Sequence, residues 1–350
     1  MESLISEWGG ESVIIRFDRP TSAWMIIAIH STRLGPATGG TRMKPYPNLN
    51  DAVEDALKLA AGMTYKFAVI GFPRGGGKAV IAVPHDFDNN KRADLLRRYG
   101  ALIQQLGGLY ETGPDVGTSP EDMDLISETG EPYVFCRTSE KGGAGDSAPH
   151  TALGVFSGML AVSEQLFDNP SLAGKRILVQ GAGSVGRILI NMLLEADTEV
   201  MFSDVDQDTI YHFRNTLNLT YIPAEDVLHT ECDIFSPCAL GGILNRETIP
   251  RLECRAVAGA ANNQLAEPAD ALRLRDKKIL YAPDYVINAG GAIGIVGLES
   301  MGWSVKEADK QVMSIRQTLR QIFEVADSER ITTDEAARRI AESRLAGVAS

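Results

Sequence analysis

Cysteine is scarce in this 350-residue sequence: Cys136, Cys232, Cys238 and Cys254 are the only four, and no C-x-x-C pair occurs among them. That spacing excludes a zinc ribbon or a disulfide framework, so no metal is expected and the four read as buried reduced thiols. Basic charge is also short, with 34 Lys plus Arg against 46 Asp plus Glu and a net charge of -12. Without a basic cluster, nucleic acid and anionic membrane are excluded as partners. Long apolar runs are missing too. The longest, 23–29 (AWMIIAI), is far short of the ~20 residues that span a bilayer, and its β-branched residues suit a buried strand. The opening MESLISEWGG carries acids where a secretory leader carries bases, so the expected location is the cytoplasm.

What is present is a globular composition, 44% apolar with 34 glycines and 16 prolines, at a length that suggests two domains. The runs 12–17 (SVIIRF) and 24–30 predict strands separated by a turn at 18–22. From Asn50 the pattern NDAVEDALKLAAG places Val53, Ala56, Leu57 and Ala60 on one helical face, with Gly62 as its stop. Helical patterns recur at 92–106 and 120–128. The segment 142–149 (GGAGDSAP) breaks all periodicity and reads as a hinge between domains. Beyond it, 151–167 predicts a helix, and strand and helix units alternate from Lys175, the pattern of a parallel sheet covered on both faces. Two charged amphipathic helices, 305–327 and 333–345, close the chain.

The strand 176–180 (RILVQ) runs into Gly181-Ala182-Gly183-Ser184-Val185-Gly186, and 187–195 reads as a helix. A G-x-G-x-x-G in that context is a dinucleotide fingerprint. Glycines at 181 and 183 let backbone approach a pyrophosphate, while Gly186 lets helix and strand pack closely. Asp204, 18 residues beyond Gly186 at the end of the strand 199–203, can accept from ribose hydroxyls. Val205 and Asp206 follow, with no base before Arg214, which favours NAD over NADP. In the first half, Lys66 is followed twelve residues later by Lys78 in Gly75-Gly76-Gly77-Lys78. This is not a phosphate loop, because Phe72 and Ala79 stand where that motif needs a glycine and a hydroxyl. Two ammonium groups sharing a pocket would depress each other's pKa, leaving one as a base and the other as an anion binder. Asp115, in a loop of small residues, is a third candidate. The same three residues also fit solvated lysines and a turn aspartate.

The strings GPATGGTRMKPY (35–46), GMTYK (62–66), GGGKAVI (75–81), TGPDVGTSPEDMD (112–124), QGAGSVG (180–186), SPCALGG (236–242), VAGAANNQL (257–265) and APDYVINAGGAI (282–293) cover nearly the whole chain. Together they resemble the glutamate, leucine, phenylalanine and valine dehydrogenase family. The likeness is greatest to the phenylalanine dehydrogenases, through TGPD, NAGGAI, MGW (301–303) and DEAARRIA. The resemblance implies reversible, NAD-dependent oxidative deamination of an apolar, aromatic L-amino acid, phenylalanine being favoured, to the 2-oxo acid and ammonia. Leucine, valine or tryptophan dehydrogenase is the alternative within the family. An NAD-binding sensor is the alternative outside catalysis, but it would lack one of Lys66, Lys78 and Asp115. Hydride transfer from a 2-hydroxy acid would need an imidazole base, and none of the five histidines stands in a loop with a partnering Arg and Asp.

The implied architecture is α/β with two domains separated by a cleft. A mixed-sheet substrate and oligomerisation domain would span 1–138 plus a C-terminal helix at about 330–350, and a Rossmann-type doubly wound NAD domain 139–329. The implied assembly is a homo-oligomer. By resemblance Lys66 and Asn262 hold the substrate carboxylate, Lys78 is the base, and Asp115 exchanges the amine proton beside the Pro114 carbonyl. Gly39 and Gly40 admit the ligand to the backbone, and Thr38, Gly113, Ala292 and Ile295 wall the side-chain pocket. Thr38 stands where glutamate enzymes carry a lysine, which counts against glutamate, and small residues at 113 and 292 leave room for a ring. Arg74 departs from the apolar residue usual before the glycine triplet. On the cofactor side the resemblance adds Arg42, Ser147, Thr151, Ala260, Ala261 and Asn288 to the fingerprint residues.

Overall fold

Ile26, Ile27 and Ile29 are fully buried in a strand with apolar packing on both faces, and the first sheet is built around that strand. In the computed structural model, which describes residues 2–347, β1 (Ser12–Asp18), β2 (Ala23–Ser31), β3 (Ala37–Pro45), β4 (Gly75–Val83) and β5 (Tyr110–Pro114) form a mixed sheet. Its order is β1-β2-β4-β3-β5. β2 runs antiparallel to β1 and β4, while β3 is parallel to β4 and β5. Of the helices α1 (Glu2–Trp8), α2 (Leu49–Ile70), α3 (Arg92–Gln105) and α4 (Pro120–Gly130), α2 covers one face through Val53, Ala56 and Leu57. Leu95, Tyr99 and Ile103 of α3 cover the other.

The helix expected to stop at Gly62 continues to Ile70, and its N-cap is Asn48, whose side chain accepts from the Asp51 amide. Gly62 is exposed with open space around it, and one such glycine costs only about 1 kcal/mol against alanine. Phe67, Ala68, Val69 and Ile70 offset that cost by burial. The stop is Gly71, in the left-handed conformation at φ 66°. Strands β3 and β4 were not legible as strands, because eight of their residues are glycine, threonine or proline.

The second sheet is entirely parallel. It contains β6 (Arg176–Gln180), β7 (Glu199–Ser203), β8 (Thr220–Tyr221), β9 (Cys232–Pro237), β10 (Cys254–Val257) and β11 (Leu280–Tyr281), in the order β11-β10-β9-β6-β7-β8. Counted from β6 this is 6-5-4-1-2-3, the doubly wound dinucleotide-binding topology. Helices α5 (Ala148–Phe167) and α6 (Ser184–Glu195) flank β6 in sequence.

The chain divides into two compact units. The second comprises Ser147–Gly294 and Val305–Ile340; the first comprises the described residues up to Asp146, Ile295–Ser304, and the described residues from Ala341. The break at Asp146 lies inside the hinge segment, later than the expected 138, and the final return comes at 341 rather than about 330. Specific contacts hold the returning pieces. Glu299 accepts from the Cys136 and Ala144 amides, Trp303 packs edge-on against Phe72, and Arg344 donates to the Ala68 carbonyl. The last helix runs Thr333–Gly347; positions 348–350 of the expected one lie outside the described residues. The helix expected over 305–327 is two, Val305–Met313 and Ile315–Glu329, broken at Ser314. Among the described residues no helix is long and apolar enough to cross a membrane. All four cysteines are free; Cys136 and Cys232 are buried, while Cys238 and Cys254 are partly exposed.

Candidate active site

Lys78 projects from the middle of β4, where the preceding glycines let neighbouring backbone close in. A Cβ on Gly76 would lie 2.1 Å from the Thr64 amide nitrogen of α2, and one on Gly75 2.0 Å from the Ser31 carbonyl oxygen. Lys66 stands half-buried two residues beyond Thr64, and Lys78 two beyond Gly76. The Lys78 ammonium is 3.2 Å from Asp115 Oδ2, which also accepts from Arg42 Nε at 2.7 Å. Arg42 Nη1 reaches both oxygens of Asp55, and the Tyr46 hydroxyl donates to Asp55 Oδ2. Burial drives the Lys78 pKa down; Asp115 opposes this, and Arg42 adds to it. Burial works against the Asp115 carboxylate, yet Lys78 and Arg42 outweigh it and hold that pKa below the usual range.

This geometry adds to the sequence reading at three points. Arg42, expected along the cofactor path, has its guanidinium committed to Asp115 and Asp55. It is a cation pushing Lys78 down, beside the part the sequence reading gave to Lys66. Gly39 and Gly40 are demanded by the protein's own backbone, since Cβ atoms there would lie 1.8 Å from the Gly77 oxygen and 2.5 Å from the Pro114 oxygen. The space beside Gly113 is filled by Phe135, whose ring carbon would be 2.3 Å from a Cβ, so that glycine does not itself open room for a ligand. Thr38 is buried and its hydroxyl donates to the Pro36 carbonyl. Ile295 is buried and Ala292 half-buried on the helix Gly290–Glu299.

Sequence reasoning missed Asp55, Tyr46 and a buried hydroxyl network. Tyr110 and Thr112 both donate to the Gly39 carbonyl, and Thr41 links Thr112 to Tyr99. These bonds fix the backbone that carries Gly40. The only signal was polar residues at inward positions of a strand, which the uncertain strand boundaries hid.

In the second unit, the residues from Gly181 to Gly186 form the turn between β6 and α6. Gly181 has φ 93°, and a Cβ on Gly186 would lie 1.9 Å from the Gly181 oxygen, so close strand–helix packing requires glycine there. Gly183 precedes α6 with nothing within 4 Å of its Cβ position, and no side chain caps the helix. Ser184 is exposed, and Ala182 and Val185 complete the turn. Asp204 accepts from the amides of Ala182, Val205 and Asp206 at 2.7, 2.7 and 2.9 Å. An open, uncapped helix start beside a carboxylate held at the strand end fits a dinucleotide. Further along the same unit, Asn288 Nδ2 donates to Asn262 Oδ1 at 2.7 Å and to the Ala260 carbonyl at 3.2 Å, while Gln264 donates to the Ala261 carbonyl. Thr151 Oγ1 donates to the Ser147 carbonyl, and a Cβ on Gly291 would meet that hydroxyl at 2.3 Å.

Comparison with known proteins agrees with both units. Residues 20–131 match the Glu/Leu/Phe/Val dehydrogenase dimerisation domain, and 199–349 match the Glutamate/Leucine/Phenylalanine/Valine dehydrogenase domain. The chain is 44% identical to L-tryptophan dehydrogenase of Nostoc punctiforme, over 97% of this chain and 95% of that one. It is 41% identical to leucine dehydrogenase of Geobacillus stearothermophilus, over 96% and 90%. The crystal structure of the Nostoc enzyme superimposes with a TM-score of 0.88 at 42% identity, covering 99% of each chain. A two-unit fold with this fingerprint, matched along nearly its whole length, makes the chain a member of the glutamate/leucine/phenylalanine/valine dehydrogenase family of amino acid dehydrogenases.

Proposed function

We propose that the protein oxidatively deaminates an aromatic L-amino acid to the 2-oxo acid and ammonia, reversibly and with NAD. The observation that carries the chemistry is Lys78, buried, down-shifted and 3.2 Å from Asp115. Bound NAD would supply the acceptor for the hydride of Cα. Lys66 and Asn262 bind the substrate carboxylate and orient the molecule. Neutral Lys78 takes the proton of the water that attacks the iminium carbon, and its charged form then stabilises the oxyanion. Asp115 exchanges the amine proton, which its lowered pKa suits because the carboxylate is the resting form. Asn288 holds Asn262 and, with Ser147 and Thr151, is assigned to the nicotinamide end of the cofactor; Asp204 is assigned to the ribose. Thr38, Ala292 and Ile295 are the proposed side-chain walls. Phenylalanine and the tryptophan of the Nostoc relative both belong to the aromatic class. Self-association is assigned to the first unit, where β1 is an edge strand with Phe17 exposed.

The test is reduced-nicotinamide formation across the twenty amino acids with NAD and with NADP. Aromatic substrates with NAD are expected to give the highest kcat/KM, because Asp204 and Asp206 repel a 2'-phosphate. A preference for valine over every aromatic substrate contradicts the substrate class. An equal rate with NADP contradicts the cofactor assignment.

A further inference from the structure

We propose that the buried Arg74–Glu111 ion pair selects substrates by the far end of their side chains, favouring an aromatic ring that carries a hydrogen-bond donor over a hydrocarbon one. The inference rests on the dehydrogenase reading above and concerns the same site. Side chains on a strand alternate between faces, so residues two apart share a face and stand about 7 Å from one another. Thr38 is paired in register with Gly76 on one side and Glu111 on the other. Lys78, Gly40 and Gly113 are each two residues further along those strands, on the same face. One step of the pleat therefore leads from the level of the base to a level where Gly76 has no side chain and Thr38 and Glu111 do.

Arg74 joins Glu111 there. Its Nε is 3.0 Å from Glu111 Oε2, and its Nη1 donates to the Pro73 carbonyl. The two side chains are 10% and 11% exposed. Among the described residues, Glu111 Oε1 and Arg74 Nη2 have no hydrogen-bond partner. Thr38 already donates to Pro36, so its hydroxyl has only acceptor capacity left. An ion pair is an expensive group to bury for packing alone, and hydrocarbon of similar volume commonly serves as well. What this pair offers an incoming side chain is an acceptor at Oε1 and a donor at Nη2. A phenol hydroxyl can use both, and an indole N–H can use the first. A plain phenyl ring reaching this level removes water from both atoms and returns nothing, while a branched aliphatic side chain stops short of it.

The experiment measures kcat/KM for tyrosine, tryptophan, phenylalanine and leucine in the wild type and in Arg74→Leu/Glu111→Leu, which removes both charges together. In the wild type, tyrosine or tryptophan is expected to exceed phenylalanine by about tenfold, the worth of one hydrogen bond. The double variant is expected to erase that preference, mainly through KM. A wild type that uses phenylalanine or leucine best overturns the proposal, and so does an unchanged preference in a double variant that folds by circular dichroism. If the double variant does not fold, Glu111→Gln keeps the shape and an acceptor oxygen while removing the charge; the preference should shrink, and an unchanged ratio is again fatal. No turnover of any amino acid by the wild type would sink the dehydrogenase reading itself, and this inference with it.

Discussion

At Lys78 the balance of neighbours sets the chemistry. Burial and Arg42 lower its pKa while Asp115 and Asp55 raise it, so the neutral amine is reached at a lower pH than for an ordinary lysine. Deamination, which uses the neutral form, should rise with pH through that pKa. Removing Arg42 leaves the two carboxylates unopposed, so Arg42→Leu is expected to move the rising limb of kcat/KM to higher pH. Asp115→Asn removes a group that raises the pKa and should move whatever limb remains to lower pH. Profiles of both variants that coincide with the wild type would remove Lys78 as the titrating base. Lys78→Ala is expected to lower turnover by about 100- to 10,000-fold, with NAD affinity measured by titration nearly unchanged. A variant that keeps most of its activity would return Lys78 to a structural charge.

Two elements show how differently glycines in one chain are used. In the β6–α6 turn, Gly186→Ala places a Cβ 1.9 Å from the Gly181 oxygen and is expected to lower stability by about 1–3 kcal/mol. Gly183→Ala meets only open space, so the melting temperature should hold while NAD binding weakens by about tenfold, or about 1.4 kcal/mol. Equal losses of stability in the two variants would remove Gly183 from the nucleotide path. In α2, Gly62→Ala should stabilise by about 0.4–1 kcal/mol, whereas Gly71→Ala, at φ 66°, should destabilise by about 1 kcal/mol, both read from thermal melts. The sequence made the β6–α6 turn legible, because strand, glycines and helix occur in one uninterrupted stretch. It misjudged Gly62, since a glycine pattern alone does not tell an exposed helical position from a left-handed cap. It was silent on Asp55 and Tyr46, which meet Arg42 only after α2 has packed on the sheet.

Across the whole molecule, the division into compact units is legible where composition marks it and illegible where only packing does. The glycines and small residues of 142–149 announce a break by composition, and the unit boundary falls within them. Nothing in the composition of 295–304 says that it returns to the first unit, because its role there is contact: Trp303 on Phe72, and Glu299 on the amides of Cys136 and Ala144. The same holds for Arg344, which donates to the Ala68 carbonyl at the end of α2. Residues 1–146 alone therefore contain both the base and the aspartate but lack three supports. Removing Glu299 leaves two amides of the 136–145 segment without their acceptor, and each such loss in a buried setting costs about 1–3 kcal/mol. Losing Trp303 exposes Phe72, a fully buried aromatic in the intact chain. Against a typical stability of about 5–15 kcal/mol, these losses together are large. A fragment of residues 1–146 is expected to unfold at much lower denaturant than the intact first unit. The measurement is urea denaturation of the fragment followed by circular dichroism, beside full-length Glu299→Ala, which should lose only part of that stability. A fragment as resistant to urea as the full chain would show that the returning segments add no stability and that the first unit is complete by Asp146.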